Sequence, residues 1–544
     1  GSLDIGTWHH ILPKASAPAS WEAGVVRLGE LDLGQELLLK EGSLRPMGDS
    51  LDFSIQGTVG QGILRGDGTF GTAMDPYHLE LTLVGEDLAL KAFHEWIKDE
   101  KKATGVISQA RFTFRGDPSN PVDADSSLRL IARDFHWEGK GWESLRLAAT
   151  LTGRNLTLSE LLLQQKENQV TASGQSHLPA DWRAALRAPF TAKFHAELED
   201  ASALAALAGP QFTQLGGGLI VEGEVQGSEN KAEGYCNLIG TGMTIRKLPL
   251  DWVKGRMIFA GDQTKVQSLE AWSGRDHLIL SGNVANNRPH AYKAEAEAEV
   301  RDLTKRLSQL GITTASVIGA GGVKFHWQGE GDAGTHTGSF QAQVNGWVSK
   351  WTTTGMSGAF EGIYAPGKVE LSKADFKQDD LTLALKLSAT TNAFRATAIS
   401  ATRPGKSLPL VKGDLLLPIN TPEFWQSGDA LKTIAMDGPL EINLALQGIK
   451  AEEIAGLLGQ QIPFVGTLEG SIAAKGTPAK PILHAAMGIR RFSPKLGGPT
   501  ADLSVSMEAG QGKAKATLVQ EPASSSPLDV ELEMPLSLIN DQGN

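Results

Sequence analysis

The chain has 544 residues, 41 % hydrophobic and 21 % charged, with a formal net charge of −11. Its length exceeds one ordinary core and by itself suggests roughly three or four domains. The acidic balance excludes a nucleic-acid surface, which needs clustered Lys and Arg, and no basic run exceeds Lys101-Lys102.

The elements follow in chain order. Gly1-Ser2 reads as a cloning scar, so a signal or membrane anchor is expected to have preceded it. No run approaches the ~18 apolar residues of a membrane span. His9-His10 is an adjacent pair, which a strand would point to opposite faces, so chelation by both is not expected. Residues 1–50 are lead-in strands. In 51–104, Leu79, Leu81 and Leu83 alternate with Glu80 and Thr82. VGEDLALKAFHEWI, from Val84, then predicts a short helix with Asp87 at its N-cap.

The segment 105–215 opens with GVISQARFTFRG, a strand. Asn155-Leu156-Thr157 is a formal sequon, read as a turn into the strand at Leu156. QVTASGQSHL (Gln169 to Leu178) is another strand. His195-Ala-Glu197 matches the start of a zinc-deaminase signature but lacks its cysteine pair, which one cysteine, Cys236, cannot supply. LEDASALAALAG, from Leu198, predicts a helix near 201–209 capped by Asp200.

In 216–320, GGLIVEGEVQG and HLILSGNV are strands, the second carrying Leu278, Leu280 and Val284. VRDLTKRLSQLG predicts a helix near 302–311, capped by Asp302, striped by Leu303, Leu307 and Leu310, and closed by Gly311. In 321–460, GGVKFHWQGEG begins a strand, and His326 and His336 around its glycine turn read as ordinary strand and loop histidines. Leu381, Leu383, Leu385 and Leu387 alternate with Thr382, Ala384 and Lys386, and short helices are expected near 421–432 and 451–459. In 461–544, VGTLEGSIAAKG is a strand. Leu503, Val505 and Met507 alternate with serines, as Leu528, Val530, Leu532 and Met534 do with acidic residues.

Alternation with period 2 gives each strand one apolar and one polar face, the pattern of an antiparallel sheet covered on one side only. Turns about every 12 residues predict on the order of 45 strands. The order short helix, glycine, alternating strand, glycine turn occurs four times, with Asp87, Asp200 and Asp302 separated by 113 and 102 positions, so the chain reads as a repeat. Against this, no Gly-x-Ser-x-Gly elbow, Walker lysine or Cys-rich metal motif occurs, and neither enzyme activity, cofactor nor metal is expected.

The repeat, and above all GTLEGSIAAKGTPAKPILHAAM from Gly466, resembles the AsmA-like and TamB-like proteins of Gram-negative envelopes. There a strand ending in Gly-Thr-x-x-x-Pro leads into the next strand, as Gly476-Thr477-Pro478-Ala479-Lys480-Pro481 does here. The stretch from Thr244 to Val284 is similar in layout. The resemblance covers most of residues 50–535, and its motifs are turn-and-strand patterns without an invariant reactive residue to carry over. It implies a long repetitive, curved antiparallel sheet, bent into an elongated U-shaped groove with an apolar interior and a few short inserted helices. It further implies a periplasmic segment, anchored in the inner membrane through a missing N-terminal helix and conducting phospholipid or another acyl lipid toward the outer membrane, with an outer-membrane protein as a further partner. The lining of the groove is then expected at Leu278, Leu280, Val284, Leu381, Leu383, Leu385, Leu387, Leu503, Val505, Leu528, Val530 and Leu532.

Three other readings remain open on the residues. The same apolar faces could pack a closed sandwich or barrel core. The chain could be a structural or adhesive envelope repeat, or an assembly factor for outer-membrane proteins, with no lipid cargo. A glycan-binding platform could be built from Trp272, Trp327, Trp347 and Trp351, although 6 % aromatics argue against it.

Overall fold

The computed structural model describes residues 2–5, 8–11, 18–32, 37–71, 78–93, 103–137, 140–203, 214–228, 231–311, 320–332, 334–348, 355–405, 409–427, 433–452, 463–494, 500–510, 513–521 and 529–535. The fold is mostly β and antiparallel. Among the described residues there are 34 strands and two short α-helices, α1 (Leu303–Gln309) and α2 (Thr421–Ser427). The strand number falls below the sequence expectation because most strands run 9–15 residues, longer than a 12-residue turn spacing allows. No helix among the described residues is long and apolar enough to cross a membrane.

The chain divides into two compact units, one of residues 1–245, 249–271 and 285–287, the other of residues 246–248, 272–284 and 288–544. In the first, successive strands from Leu37–Met47 to Lys231–Ile245 each pair antiparallel with their sequence neighbours. In the second, the same meander runs from Asp276–Ala285 to Asp529–Pro535. Among the described residues the last strand pairs only with the one before it, so the ladder of the second unit is open rather than closed on itself.

Tight turns make this possible. Thr152 and Asn155 pair across a two-residue loop in which Gly153 and Arg154 have φ of 54° and 65°. Positive φ at both loop residues gives a turn whose twist matches the flanking strands. Asn155 thus begins a strand, as the sequence suggests, and its side-chain oxygen lies 2.9 Å from Nδ1 of His177. The segment boundaries expected after 104, 215 and 320 fall at the first residue of the strands Thr104–Gly116, Leu215–Ser228 and Ala320–Gly331.

Of the expected helices, the third forms as read. Asp302 caps α1 by accepting from the Lys305 amide at 3.0 Å, and Gly311, with φ of 79°, follows its end. Asp200 also caps, accepting from the Ser202 amide at 3.0 Å, but only over the 3-10 turn Ala201–Ala203. Near 421–432 the helix forms over Thr421–Ser427, while residues 204–213 and 453–462, with most of the helices expected near 201–209 and 451–459, lie outside the described residues. The reading of Asp87 is corrected. The strand His78–Ala89 runs through it, its φ is 52°, and its carboxylate pairs with Arg133 at 2.9 Å. The helical turn starts only at Leu90.

The buried core is not spread over the sheet. Alternate strands of an antiparallel meander end at the same edge, and in each unit most large buried side chains gather there, with Val122 and Ile419 at the opposite ends. In the first unit they are Val59, Leu88 and Ile107, then Phe135, Trp142 and Leu163. In the second they are Val323 and Val344, with Leu303 of α1 packed on them, and Leu410, Ile449 and Leu468.

α1 is held to that edge by a polar network. Arg306 Nε lies 2.6 Å from Asp276 Oδ2, with both side chains largely buried. Its other nitrogens donate to the Ser273 carbonyl and to Gln309, while Asp276 Oδ1 accepts from the Arg301 amide.

Candidate functional site

Residues paired directly across a sheet share a face, so the registers can be followed from strand to strand. In the second unit Leu278 pairs with Ala298, then Phe325, Ala342, Phe360, Ala374 and Leu385 follow in turn. Leu387, two residues on, leads through Ala396, Leu415, Ile442, Ala474, Leu483, Ala509 and Ala514 to Met534. Leu280 and Val284 join at Ala296 and Tyr292, and Leu381 and Leu383 lie beside Leu385. Leu503 and Val505 pair with Ile489 and Met487, Val530 with Leu518, and Leu532 with Ala516. Eleven of the twelve expected lining residues therefore share one apolar face; Leu528 lies outside the described residues.

The first unit repeats the arrangement. Leu83 pairs with Phe112, and Leu128, Ala149, Leu158, Gly174, Ala192, Val225 and Gly234 continue the row. Cys236 is on the same face, opposite Gly223, and burial pushes its thiol above the ordinary range.

Away from the buried edge this face is incompletely covered. Leu280, Leu385, Leu387 and Val505 are half-buried, as are Leu383 and Leu381 nearer the edge, where Leu381 packs on the Leu410 cluster, and Leu278, Val284 and Val530 keep 40 %, 38 % and 46 % of their surface. Leu503, next to the edge, is buried. The alanines of the same rows, Ala342, Ala374, Ala396, Ala474 and Ala509, are buried beneath their larger neighbours, so coverage of the face alternates between small buried and longer accessible side chains. Exposed apolar residues also occur on the other face, Ile363 and Ile482 among polar neighbours and Ile220 paired with Ile239 in the first unit.

Aromatic rings cross the apolar face in one place. Phe325, Phe340, Phe360 and Phe376 follow one another at centroid distances of 6.3–6.4 Å. A Cβ at Gly358 would stand 2.6 Å from the ring of Phe376, so the missing side chain lets the ring lie close to the sheet. The tryptophans serve separate contacts: Trp272 stacks on His277, Trp327 donates to the Tyr364 hydroxyl at 2.9 Å, and Trp347 packs against the Val323 cluster. Trp351 lies outside the described residues.

The opposite face is polar and cross-linked strand to strand. Examples are Lys324 with Glu299 at 3.1 Å, Lys193 with Glu224 at 3.6 Å, and Arg490 with Glu469 at 2.7 Å. The best-defined hollows are on this side. One in the second unit, about 440 Å³, is lined by Glu297, Glu299, Lys324, His326, Gln341, Gln343 and Glu361, among others. There the sequence reading missed a cluster: His326 lies between Glu295 and Glu297, at 3.5 and 3.4 Å. The alternation in YKAEAEAEV puts the glutamates on one face, but only the register brings His326 opposite Glu297.

No protein-family model matches the chain, and no curated protein matches it significantly.

Proposed function

We propose that the chain is a non-catalytic periplasmic segment of an AsmA-like or TamB-like protein, binding the acyl chains of phospholipids on its apolar sheet faces and conducting them toward the outer membrane. One observation carries the reading: an apolar face that persists through fifteen successive strands of the second unit while much of it remains accessible to solvent. A continuous exposed apolar surface of this kind marks an interaction site. Its lining suits hydrocarbon, which needs smooth walls and no directional bonds. Aliphatic residues predominate, and the charges are on the other side.

The energetics fit such a task. Moving an acyl chain of about 16 carbons out of water gains roughly 0.8 kcal/mol per CH₂, on the order of 12 kcal/mol. Water is therefore a barrier to lipid, and an unbroken apolar surface is a path around it. The shallow relief where rings lie close to the sheet, as at Gly358, keeps that path free of obstructions.

Native mass spectrometry of the purified chain, followed by lipid extraction, tests the reading. Bound phospholipid at defined stoichiometry is expected, and addition of phospholipid vesicles to delipidated protein should restore it. Protein that emerges free of lipid and takes none up would favour an adhesive or structural repeat.

A further inference from the structure

We propose that Glu295, Glu297 and His326, on the polar face of the second unit, form a binding site for a divalent transition cation. Glu295 and Glu297 are two residues apart on the strand Tyr292–Val300, and His326 stands on the neighbouring strand, paired with Glu297. One donor atom from each lies within 4.8 Å of the other two. An ion in the middle of such a triangle is within about 2.8 Å of every corner, roughly half an ångström to an ångström beyond a zinc–ligand bond. Side-chain rotation of exposed glutamates covers that distance.

Among the described residues, the lysines beside this trio are paired elsewhere. Along the two strands Lys293 pairs with Glu330 at 3.7 Å and Lys324 with Glu299 at 3.1 Å. Gln328, opposite Glu295, donates to it at 3.2 Å but carries no charge. Lys373, which lines the same hollow, pairs with Asp375 at 3.3 Å. The two carboxylates stand on either side of one imidazole, and a divalent cation would compensate both. The donor set of one imidazole nitrogen and two carboxylate oxygens suits zinc and its neighbours better than magnesium or calcium, which take oxygen alone. Nε2 of His326 faces Glu295 and Nδ1 faces Glu297, so only one nitrogen ligates while the other stays beside the second glutamate. The hollow gives a hydrated ion access and leaves room for water at the remaining coordination position.

The experiment is zinc titration of the metal-free full chain against a chromophoric chelator, with thermal melting run in parallel. The parent should take up zinc at this site and melt higher with zinc than without it. Glu297→Gln and His326→Ala should each weaken uptake about tenfold or more and abolish the zinc-dependent shift in melting. His195→Ala should change neither. Both carriers of the test are on the exposed polar face, so the variants should fold. Absence of uptake by the parent at equimolar metal would overturn the proposal, as would uptake unchanged in both variants. Equal competition by magnesium would also overturn it, because that outcome describes a diffuse acidic surface rather than a nitrogen-bearing site.

Discussion

Asp87 and Asp302 look alike in the sequence, each following an apolar strand and preceding a leucine, yet they end in different roles. After Asp302 the leucines recur at helical spacing, Leu303, Leu307 and Leu310, all half-buried, so a helix forms and the carboxylate finds a free amide to cap. After Asp87, Leu88 is out of phase with Leu79, Leu81 and Leu83, but the strand runs on through the positive φ of Asp87, Leu88 fills the Val59–Ile107 cluster, and Asp87 turns to Arg133 instead. Asp302→Ala should therefore cost about 0.5–2 kcal/mol, seen as a lower melting temperature, and leave lipid uptake unchanged. Loss of uptake without loss of stability would place Asp302 in the binding surface rather than at a helix end. Cys236 gives a second test at this scale. It is 5 % exposed and burial disfavours its thiolate, so alkylation of the native protein should be slower than that of a free thiol by about tenfold or more. Rapid labelling at neutral pH would mean that the face around Gly223 and Cys236 opens readily.

At the scale of elements, α1 is too short to persist alone, since isolated helices below ~12 residues are marginal in water. Leu303 supplies apolar contact, and the Arg306–Asp276 pair fixes the helix to the edge of the sheet. Truncating one partner of a largely buried pair leaves the other charge without compensation, which costs about 3 kcal/mol or more. Arg306→Ala should thus release α1 first. In hydrogen exchange, the amides of Arg306 and Leu310, bonded to Asp302 and Arg306 carbonyls, should lose protection while the strands on either side keep theirs. Unchanged protection at those two amides would mean that Leu303 packing alone holds the helix. None of this network was legible in the sequence, because Ser273, Asp276 and Arg306 come together only through the strand Tyr292–Val300 between them. The strands themselves were legible, because alternation is a property of each segment by itself. All four stretches read as the strand after a short helix are strands, Thr104–Gly116, Leu215–Ser228, Ala320–Gly331 and Phe464–Thr477.

For the whole molecule, the sequence showed that each strand has an apolar face but not how much of that face would be covered, since coverage depends on what packs against it. The structure divides the question. Coverage varies even beside the edge that carries the buried clusters: Ile449 is 2 % exposed, whereas Leu383, near the start of its strand and between Phe376 and Ala401, is only half-buried. A carboxylate introduced at the two positions should then have opposite consequences. At Ile449 it would have no route to water, and Ile449→Asp should be severely destabilising, with loss of soluble protein. At Leu383 the carboxylate can reach solvent, so Leu383→Asp should stay soluble and lose only about 1–3 kcal/mol. If the face conducts lipid, that charge also stands in the path, and hydrocarbon passing it would have to strip water from the carboxylate or detour. A photocrosslinking probe replacing Leu385 should therefore capture lipid in the parent and much less of it in the Leu383→Asp background, at comparable melting temperature. Unfolding of Leu383→Asp to the same degree as Ile449→Asp would mean that the face around Leu383 is packed in solution. A folded variant with undiminished lipid adducts would remove this face from the path, and a parent without adducts would deny it lipid altogether.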